Sequence, residues 1–275
     1  MSERPPESGP TAPAGTASGA SAGDPPSLVA LIAQGVMDAE LAALVWVLVE
    51  AGIPLVVAAP EGRSGAAAQL LAGVVTSIHQ DENSAAFTAP LTAAGASSLV
   101  RGRRAGGVVE AGSLAEVRDR LRGGPLPLTD DQLTFLGCVL VLGESAVAGA
   151  GGNGRGRRGR LRVAAAHYVR PLARDAHGHA QRLDPAVLAT WDDRLERFEH
   201  FAWGVLPEIA ARLGKKAGDL EADLHHRRDD LAGLAKGGVT KLDEVRRLIA
   251  GYETRYGHPH GGQPSEEQNA GHGPH

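Results

Sequence analysis

The chain has 275 residues, 43% of them hydrophobic, which is enough to bury one substantial core or two small ones. Its formal net charge of -4 excludes a global attraction to nucleic acid or to an anionic membrane, and its single cysteine excludes an internal disulfide framework. The longest apolar stretch, Leu41 to Val49, is much shorter than the roughly 20 residues of a membrane-spanning helix. The first residues contain no basic region followed by an apolar segment, so we expect a cytoplasmic protein without a signal peptide.

Helical patterns follow a low-complexity N-terminus. Residues 1–26 are rich in Pro, Gly, Ser, Ala and Thr without periodicity, which predicts a disordered tail. The apolar pattern becomes helical from Ser27. Asp38 is then placed to cap a second helix, which is predicted to run from Ala39 to Glu50 and to end at Gly52.

The segment from Ile53 to Val75 has the outline of a phosphate-binding loop. Leu55 to Ala59 is a short apolar run, typical of a buried parallel strand. A glycine-containing turn follows between Pro60 and Gly65, and a helix is predicted from about Ala66 to Ile78. This order of strand, turn and helix is the one in which backbone N–H groups and a helix N-terminus hold phosphates.

That loop lacks the side chains on which phosphate binding depends. The P-loop pattern is G-x-x-x-x-G-K-[ST], in which the lysine reaches the β- and γ-phosphates and the hydroxyl holds Mg²⁺. With Gly65 as the second glycine, Pro60 replaces the first, while Ala66 and Ala67 replace the lysine and the hydroxyl residue. The first lysine of the chain is Lys215, so no other register restores the pattern. We predict either a vestigial nucleotide-binding turn, able to act as an anion nest, or an ordinary strand-to-helix turn retained for folding. The residues of this turn are Gly62, Arg63, Ser64 and Gly65.

The region after the P-loop-like helix carries a weaker pattern. Residues 80–104 are polar and weakly patterned. Val108 and Val109 indicate a short strand, and Ser113 is placed to cap a helix from Leu114 to Leu121.

A second helix and a strand are predicted further on. Thr129 has the capping-box spacing to Gln132, which indicates a helix start. The apolar run from Phe135 to Leu142 predicts a helix end that passes into a strand. Cys138 lies within this run, so we expect a buried structural thiol.

Arginines form two clusters that could contact an anion or a protein partner. Nucleic acid, lipid headgroups and the acidic face of a protein are the candidate partners, and solvated loops without a ligand are the alternative. No aromatic residue is interleaved within either cluster, so we do not expect stacking on nucleic-acid bases. The clusters are Arg101, Arg103 and Arg104, and Arg155, Arg157, Arg158, Arg160 and Arg162.

The following segment predicts strands joined by tight turns. Arg162 to Arg170 alternates as a strand does, and Asp175 to His179 is typical of a hairpin turn. Val187 to Trp191 and Arg197 to Phe201 predict a second hairpin. His177 and His179 alone are too few for a metal site, so we predict none. The predicted core residues of these hairpins are Tyr168, Trp191, Phe198, Phe201 and Trp203.

Helices are predicted after Pro207. They cover Glu208 to Leu213, Asp219 to Ala235, and a last helix that Thr240 opens and that ends near Tyr256. Their apolar faces offer either a surface for a protein partner or a helical cap on the core. These faces carry Leu220, Leu224, Leu231 and Leu234, and Leu242, Val245, Leu248 and Ile249. Residues 258–275 are rich in Gly, Pro and His and predict a second disordered tail.

Taken in order, these elements resemble the P-loop ATPase family that powers bacterial type II secretion and type IV or Tad/Flp pilus assembly. The segment LIAQGVMDAELAALVWVLVEAGIPLVVAAPEGRSGAAAQLLAGVV is similar to the family's helix pair followed by its Walker A strand, loop and helix. GGVVEAGSLAEVRDRLRG resembles the segment around the family's histidine box, and LRVAAAHYVRP with VLATWDDRLERFEHF resembles its C-terminal hairpins. The resemblance covers about Ser27 to Leu213. It implies an α/β fold with a degenerate RecA-like P-loop core and C-terminal β-hairpins over residues 27–215, and a C-terminal helical appendage over residues 216–257.

The departures from the family remove its catalytic groups. Ala66 and Ala67 stand at the Walker A lysine and hydroxyl positions, and Glu110 aligns with the histidine of the histidine box. No carboxylate lies between residues 83 and 109, where the Walker B acid belongs. Glu144 mimics a Walker B ending but follows the histidine-box segment, so we do not assign it. Phosphoryl transfer depends on positioned charges worth about 3–4 kcal/mol each, so we do not expect appreciable hydrolysis.

The resemblance therefore implies a non-catalytic pseudo-ATPase without a cofactor, acting as a structural or regulatory interaction partner. Its partner would be an active secretion or pilus ATPase, or further copies of the chain, at the cytoplasmic face of the membrane. The alternative is a divergent NTPase of secretion or pilus assembly that still binds ATP and takes its missing cations from a neighbouring subunit or from arginine. A third interpretation is an arginine-cluster nucleic-acid binder, whose binding would fall steeply with salt.

Overall fold

The computed structural model describes residues 25–79, 86–88, 91, 95–96, 99, 105–124, 127–145, 160–174 and 177–256. Over these residues the chain is a mixed α/β protein. One seven-stranded sheet has an apolar cluster on each face, and a two-stranded ribbon lies apart from it.

The elements alternate between helices and parallel strands in the first half of the chain and become mostly antiparallel strands and then helices in the second. The first half contains α1 (Leu28–Ala33), α2 (Ala39–Glu50), β1 (Leu55–Ala59), α3 (Ser64–Ile78), β2 (Ala86–Thr88), β3 (Ala105–Glu110), α4 (Leu114–Gly123) and α5 (Asp130–Leu133). The second half contains β4 (Cys138–Ser145), β5 (Arg160–Tyr168), β6 (Ala173–Arg174), β7 (Ala180–Gln181), β8 (Ala186–Asp192), β9 (Arg197–His200), a 3-10 turn (Ala202–Gly204), α6 (Leu206–Arg212), α7 (Ala217–Lys236), α8 (Leu242–Ala250) and α9 (Tyr252–Tyr256).

Strand β1 lies at the centre of the parallel part of the sheet. Leu55 is in register with Gly106 of β3 on one side and with Cys138 of β4 on the other, and both pairings are parallel. The strand order is β2-β3-β1-β4-β5-β8-β9, in which β5, β8 and β9 continue the sheet in antiparallel fashion. All five residues of β1 are buried, as their continuous apolar run predicts.

The two apolar clusters place different helices on the two faces of the sheet. The larger cluster contains buried residues of α1, α2, α3, α6, α7 and α8, together with alternate residues of the central strands such as Leu55 and Leu140. The smaller cluster contains Val117 of α4 and Leu133 of α5, packed against Val56 and Val139. Because strand side chains alternate between faces, each central strand contributes to both clusters.

Local sequence signals set several of the helix starts. Ser27, Asp38 and Ser113 each accept a backbone N–H with the side chain, as expected of N-caps. Thr129 and Gln132 form the complete capping box that their spacing predicts. The predicted bounds of α2 and β1 are confirmed to the residue.

Several predicted helix boundaries differ from the observed ones, and those of α4, α6 and α7 do so by one or two residues at a terminus. Helix α3 begins at Ser64, two residues before the predicted start, because the turn ends at Arg63. The predicted last helix is broken at Gly251, which separates α8 from α9. Thr240 does not cap α8, because Lys241 is the N-cap residue and no side chain caps this helix. The Thr240 carbonyl accepts a hydrogen bond from the Ser27 hydroxyl at 2.7 Å.

The C-terminal helices are part of the main core. The larger cluster, which also contains residues of β1, includes four buried side chains of these helices. They are Leu220 and Leu231 of α7 and Val245 and Ile249 of α8. The sequence left open whether their apolar faces form a partner surface or a cap on the core. The structure favours the cap, because these side chains are already covered by the chain itself.

The aromatic residues near the C-terminal strands are only partly in the core. Tyr168 is fully buried, and Trp191 and Phe198 are half-buried against each other with ring centroids 5.1 Å apart. Phe201 is 48% exposed and Trp203 is 46% exposed, so the prediction that they are core residues is wrong. These two side chains follow β9, where the chain leaves the sheet.

Several sequence predictions fall outside the described residues. They are the two tails, apart from residues 25 and 26. The cluster arginines Arg101, Arg103, Arg104, Arg155, Arg157 and Arg158 fall outside as well. In the described part of the chain, no helix has the length and apolar character needed to cross a membrane.

Candidate functional site

The predicted strand, turn and helix meet at the centre of the sheet. Gly62 has a φ of 76°, which allows the chain to reverse after β1. The Arg63 N–H donates to the Pro60 carbonyl at 3.0 Å, and α3 then begins at Ser64. The turn is therefore a tight one, with the helix N-terminus directly beyond the end of a buried parallel strand.

This turn lies where ligands most often bind in open α/β sheets. The chain leaves β1 through α3, which packs in the larger cluster, and leaves the adjacent strand β3 through α4, which packs in the smaller one. Connections that leave adjacent parallel strands on opposite faces create a crevice at the carboxyl ends of those strands. The site that the sequence predicted at Gly62 to Gly65 thus occupies the expected position for a ligand.

Two carboxylates flank the turn. The Ser64 hydroxyl is 2.5 Å from Oε1 of Glu110, which ends β3. Arg63 forms an ion pair with Glu144 of β4. Since β3 and β4 lie on either side of β1, the turn is held between an acid from each neighbouring strand.

The electrostatics of this arrangement oppose phosphate binding. The charge of Arg63 is matched by Glu144, and Glu110 adds a second negative charge beside the N-terminus of α3. Carboxylates favour a helix N-terminus for the same reason that phosphates do, so Glu110 occupies the favourable field itself. A phosphate placed there would meet two negative charges and no unpaired arginine of this turn.

The position at which a P-loop carries its Mg²⁺-binding hydroxyl is buried in the core. Ala67, at the hydroxyl position of the P-loop pattern, is completely buried and packs in the larger cluster. A threonine in its place would have to fit an extra hydroxyl into this packed core. The neighbouring Ala66, at the lysine position, lines a shallow groove with Gln69 and Leu161.

The structure corrects what the sequence indicated for other candidates. Of the second arginine cluster, Arg162 lies within β5 and is 9% exposed, so it is not part of a solvated loop, while Arg160 begins the same strand and is exposed. Glu144, which the sequence does not assign to the site, contacts the turn. The pairing of β4 beside β1 brings it there, and no local pattern indicates this contact.

The histidine pair does not form a metal centre within the described residues. His177 and His179 are exposed, with ring centroids 6.2 Å apart. No group of three or more His, Cys, Asp or Glu side chains in the described part of the chain is arranged to hold a metal ion. A structural zinc site needs four such ligands.

Comparison with known proteins does not assign the chain to a family. Neither a scan against protein-family models nor a search of curated proteins finds a match. The function of the chain is therefore inferred from the geometry and chemistry of the site.

Proposed function

We propose that the chain is a non-catalytic relative of the secretion and pilus-assembly ATPases, with a degenerate RecA-like core, and that it acts as a structural or regulatory partner in such a machine at the cytoplasmic face of the membrane. The observation that carries the proposal is the turn between β1 and α3. It has the position and backbone order of a phosphate-binding loop, but its one arginine is paired with Glu144 and its serine with Glu110.

The fold supports the proposal in a second respect. A central parallel strand followed by a glycine turn and a helix is the frame that a P-loop requires. Here the frame is retained at the centre of the sheet, while Ala67 has become part of the core. Such a combination is what we expect when the architecture is kept for folding and the chemistry is lost.

An exposed aromatic pair supports the role of an interaction partner. Phe201 and Trp203 are each almost half exposed and lie two residues apart after β9. Aromatic side chains are enriched in protein interfaces, and tryptophan is among the residues that contribute most to binding energy. We propose that this pair contacts an active secretion or pilus ATPase or a further copy of the chain.

Nucleotide titration tests the catalytic part of the proposal. Purified protein with Mg²⁺ should not hydrolyse ATP above background, and Arg63→Ala should leave unchanged any heat that ATP or GTP gives in titration calorimetry at millimolar concentration. Saturable binding together with hydrolysis that Arg63→Ala abolishes would contradict the proposal. That result would establish the divergent NTPase instead.

The partner role has its own test. Sedimentation of the chain alone and mixed with an intact secretion or pilus ATPase should reveal a complex. Phe201→Ser with Trp203→Ser should remove it without lowering the thermal midpoint. Leu195→Ser is the matched control, since Leu195 is 41% exposed in the turn between β8 and β9 and should not affect the complex. Absence of any complex, or equal loss with the control, would contradict the role of the aromatic pair.

A further inference from the structure

A groove of about 740 Å³ lies beside the start of β5 and shares no lining residue with the turn at Gly62. Its volume is in the range of small-molecule sites. The α1–α2 connection forms one wall and the β8–β9 hairpin forms the other. Its lining includes Gly35, Arg160, Arg162, Trp191, Asp193 and Glu196.

Arg162 is a buried cation without a partner. It is 9% exposed, and its Nε atom is buried with no hydrogen-bond acceptor. Within the described part of the chain, no hydrogen bond or ion pair reaches its guanidinium. A buried guanidinium Nε without an acceptor, on an arginine that lines a groove, points to an anion that the groove can take up.

The guanidinium is held in place by contacts that do not neutralise it. Its Cζ atom lies 3.7 Å from the centre of the Trp191 ring. Trp191 is fixed in turn, because its Nε1–H donates to Asp193 at 2.8 Å and its ring packs edge-on against Phe198. Strand β5 is tied to the opposite wall by the Val163 N–H, which donates to the Val36 carbonyl at 2.8 Å.

The carboxylates around the groove do not supply the missing partner. Asp38 accepts hydrogen bonds from the Leu41 N–H and from His200, and Asp193 accepts from Trp191. Burial lowers the pKa of Arg162, and Arg160 lowers it further, while Asp193 and Glu196 oppose this shift only through their charge at a distance. Arginine nevertheless stays protonated, so the groove contains a fixed positive charge.

A second arginine enters the same groove two residues earlier. Arg160 is exposed, and its Nη1 atom lies 3.3 Å from where a Cβ atom on Gly35 would stand. Gly35 therefore leaves room for this guanidinium in the groove. Two guanidinium groups in a groove that Trp191 and Phe198 also line suit an oxyanion attached to an apolar body, since guanidinium can form two parallel hydrogen bonds to a carboxylate or a phosphate.

We propose that this groove binds a small organic anion, in which a carboxylate or phosphate pairs with Arg162 and Arg160 and an aromatic or other apolar body lies against Trp191 and Phe198. Anion binding in this groove is independent of the proposed function, because the groove and the turn at Gly62 share no residue.

Three probes test the site by titration calorimetry and by thermal shift. Phenyl phosphate and benzoate carry the two candidate headgroups on the same ring, and phenol carries the ring without the anion. At least one of the two anions should bind saturably at millimolar concentration and raise the thermal midpoint. The anion with the lower dissociation constant identifies the headgroup that the groove prefers. Neither anion binding better than phenol would overturn the proposal.

Variants locate the binding in the groove. Arg162→Met should weaken the bound anion by about tenfold or more, as loss of a charge-assisted hydrogen bond does. The same change should raise the thermal midpoint of the ligand-free protein, because an unpaired buried cation is replaced by an apolar side chain. Arg160→Gln, at an exposed position, should weaken binding by a smaller factor and provides the test if Arg162→Met does not fold. Arg194→Gln is the matched control in the adjacent hairpin turn, outside the groove. Equal effects of Arg160→Gln and Arg194→Gln would overturn the proposal.

Discussion

The guanidinium carbon of Arg227 lies 4.3 Å from the centre of the Trp46 ring, which joins helix α7 to helix α2. The same group also lies 4.6 Å from the centre of the Tyr252 ring, which packs edge-on against Trp46. Its nitrogens pair with Glu50 at 2.7 Å and with Asp223 at 2.8 Å. In contrast to Arg162, this buried arginine is paired, and it connects the C-terminal helices to the first half of the chain.

Removal of this arginine should destabilise the whole fold. We expect Arg227→Ala to lower the free energy of unfolding by about 3–5 kcal/mol, because it leaves the buried carboxylate of Asp223 short of a partner. Urea denaturation measures the change. Arg228→Ala is the control, since Arg228 pairs with the exposed Asp229 and should change stability by less than about 1 kcal/mol. Losses of similar size in the two variants would contradict a special role for Arg227.

The same network should make stability depend on acidic pH. Burial alone would raise the pKa of Asp223, but Arg227 and Lys215 outweigh it and hold the pKa below its ordinary value of 3.8. A carboxyl with a lowered folded pKa contributes stability above its unfolded pKa and loses it as pH falls through the folded value. We therefore expect unfolding free energy to fall below about pH 4, and Asp223→Asn to reduce that slope. Denaturation curves at several pH values measure it, and an unchanged slope in Asp223→Asn would contradict the assignment.

The sequence predicts well what depends on neighbouring residues. The caps at Asp38 and Ser113 use side chains and backbone N–H groups within three residues, and both are confirmed. The five-residue strand β1 is likewise confirmed, because an apolar run of that length between turn signals allows few alternatives.

The contacts that define the candidate sites depend on which strands pair in the sheet. A pattern along a single sequence does not contain this information. Arg63 and Glu144 are 81 residues apart, and Ser64 and Glu110 are 46 apart. They meet because β3 and β4 pair on either side of β1. The burial of Arg162 on Trp191 has the same origin, since it requires β5 and β8 to be neighbours.

A glycine comparison tests the packing at the other end of the central strands. Gly137 has a φ of 70°, and a Cβ atom there would stand 2.6 Å from the Pro54 carbonyl oxygen. Gly137→Ala should therefore cost at least about 2 kcal/mol of unfolding free energy. Gly65, in the first turn of α3, has open space around it, so Gly65→Ala should leave stability unchanged or raise it by up to about 1 kcal/mol. Equal destabilisation by the two substitutions would show that the turn at Gly65 is more restricted than its surroundings indicate.

His200 and Asp38 should give stability a second pH dependence, near neutrality. Burial lowers the pKa of His200, but the hydrogen bond from Nε2 to Asp38 at 2.8 Å and the charges of Asp38 and Glu40 outweigh it and raise the pKa above its ordinary value of 6.5. A histidine with a raised folded pKa contributes stability that is fully present below its unfolded pKa and is lost as pH rises through the folded value. We expect unfolding free energy to decline as pH increases above 6.5.

Asp38→Ser isolates this effect from helix capping. Serine retains an oxygen that can accept the Leu41 N–H, so α2 keeps its N-cap while His200 loses the carboxylate. Titration of the His200 ring by NMR should then give a pKa below that of the unmodified chain, and the decline of stability above pH 6.5 should be smaller. A His200 pKa that does not fall in Asp38→Ser would show that the carboxylate is not the cause of the shift.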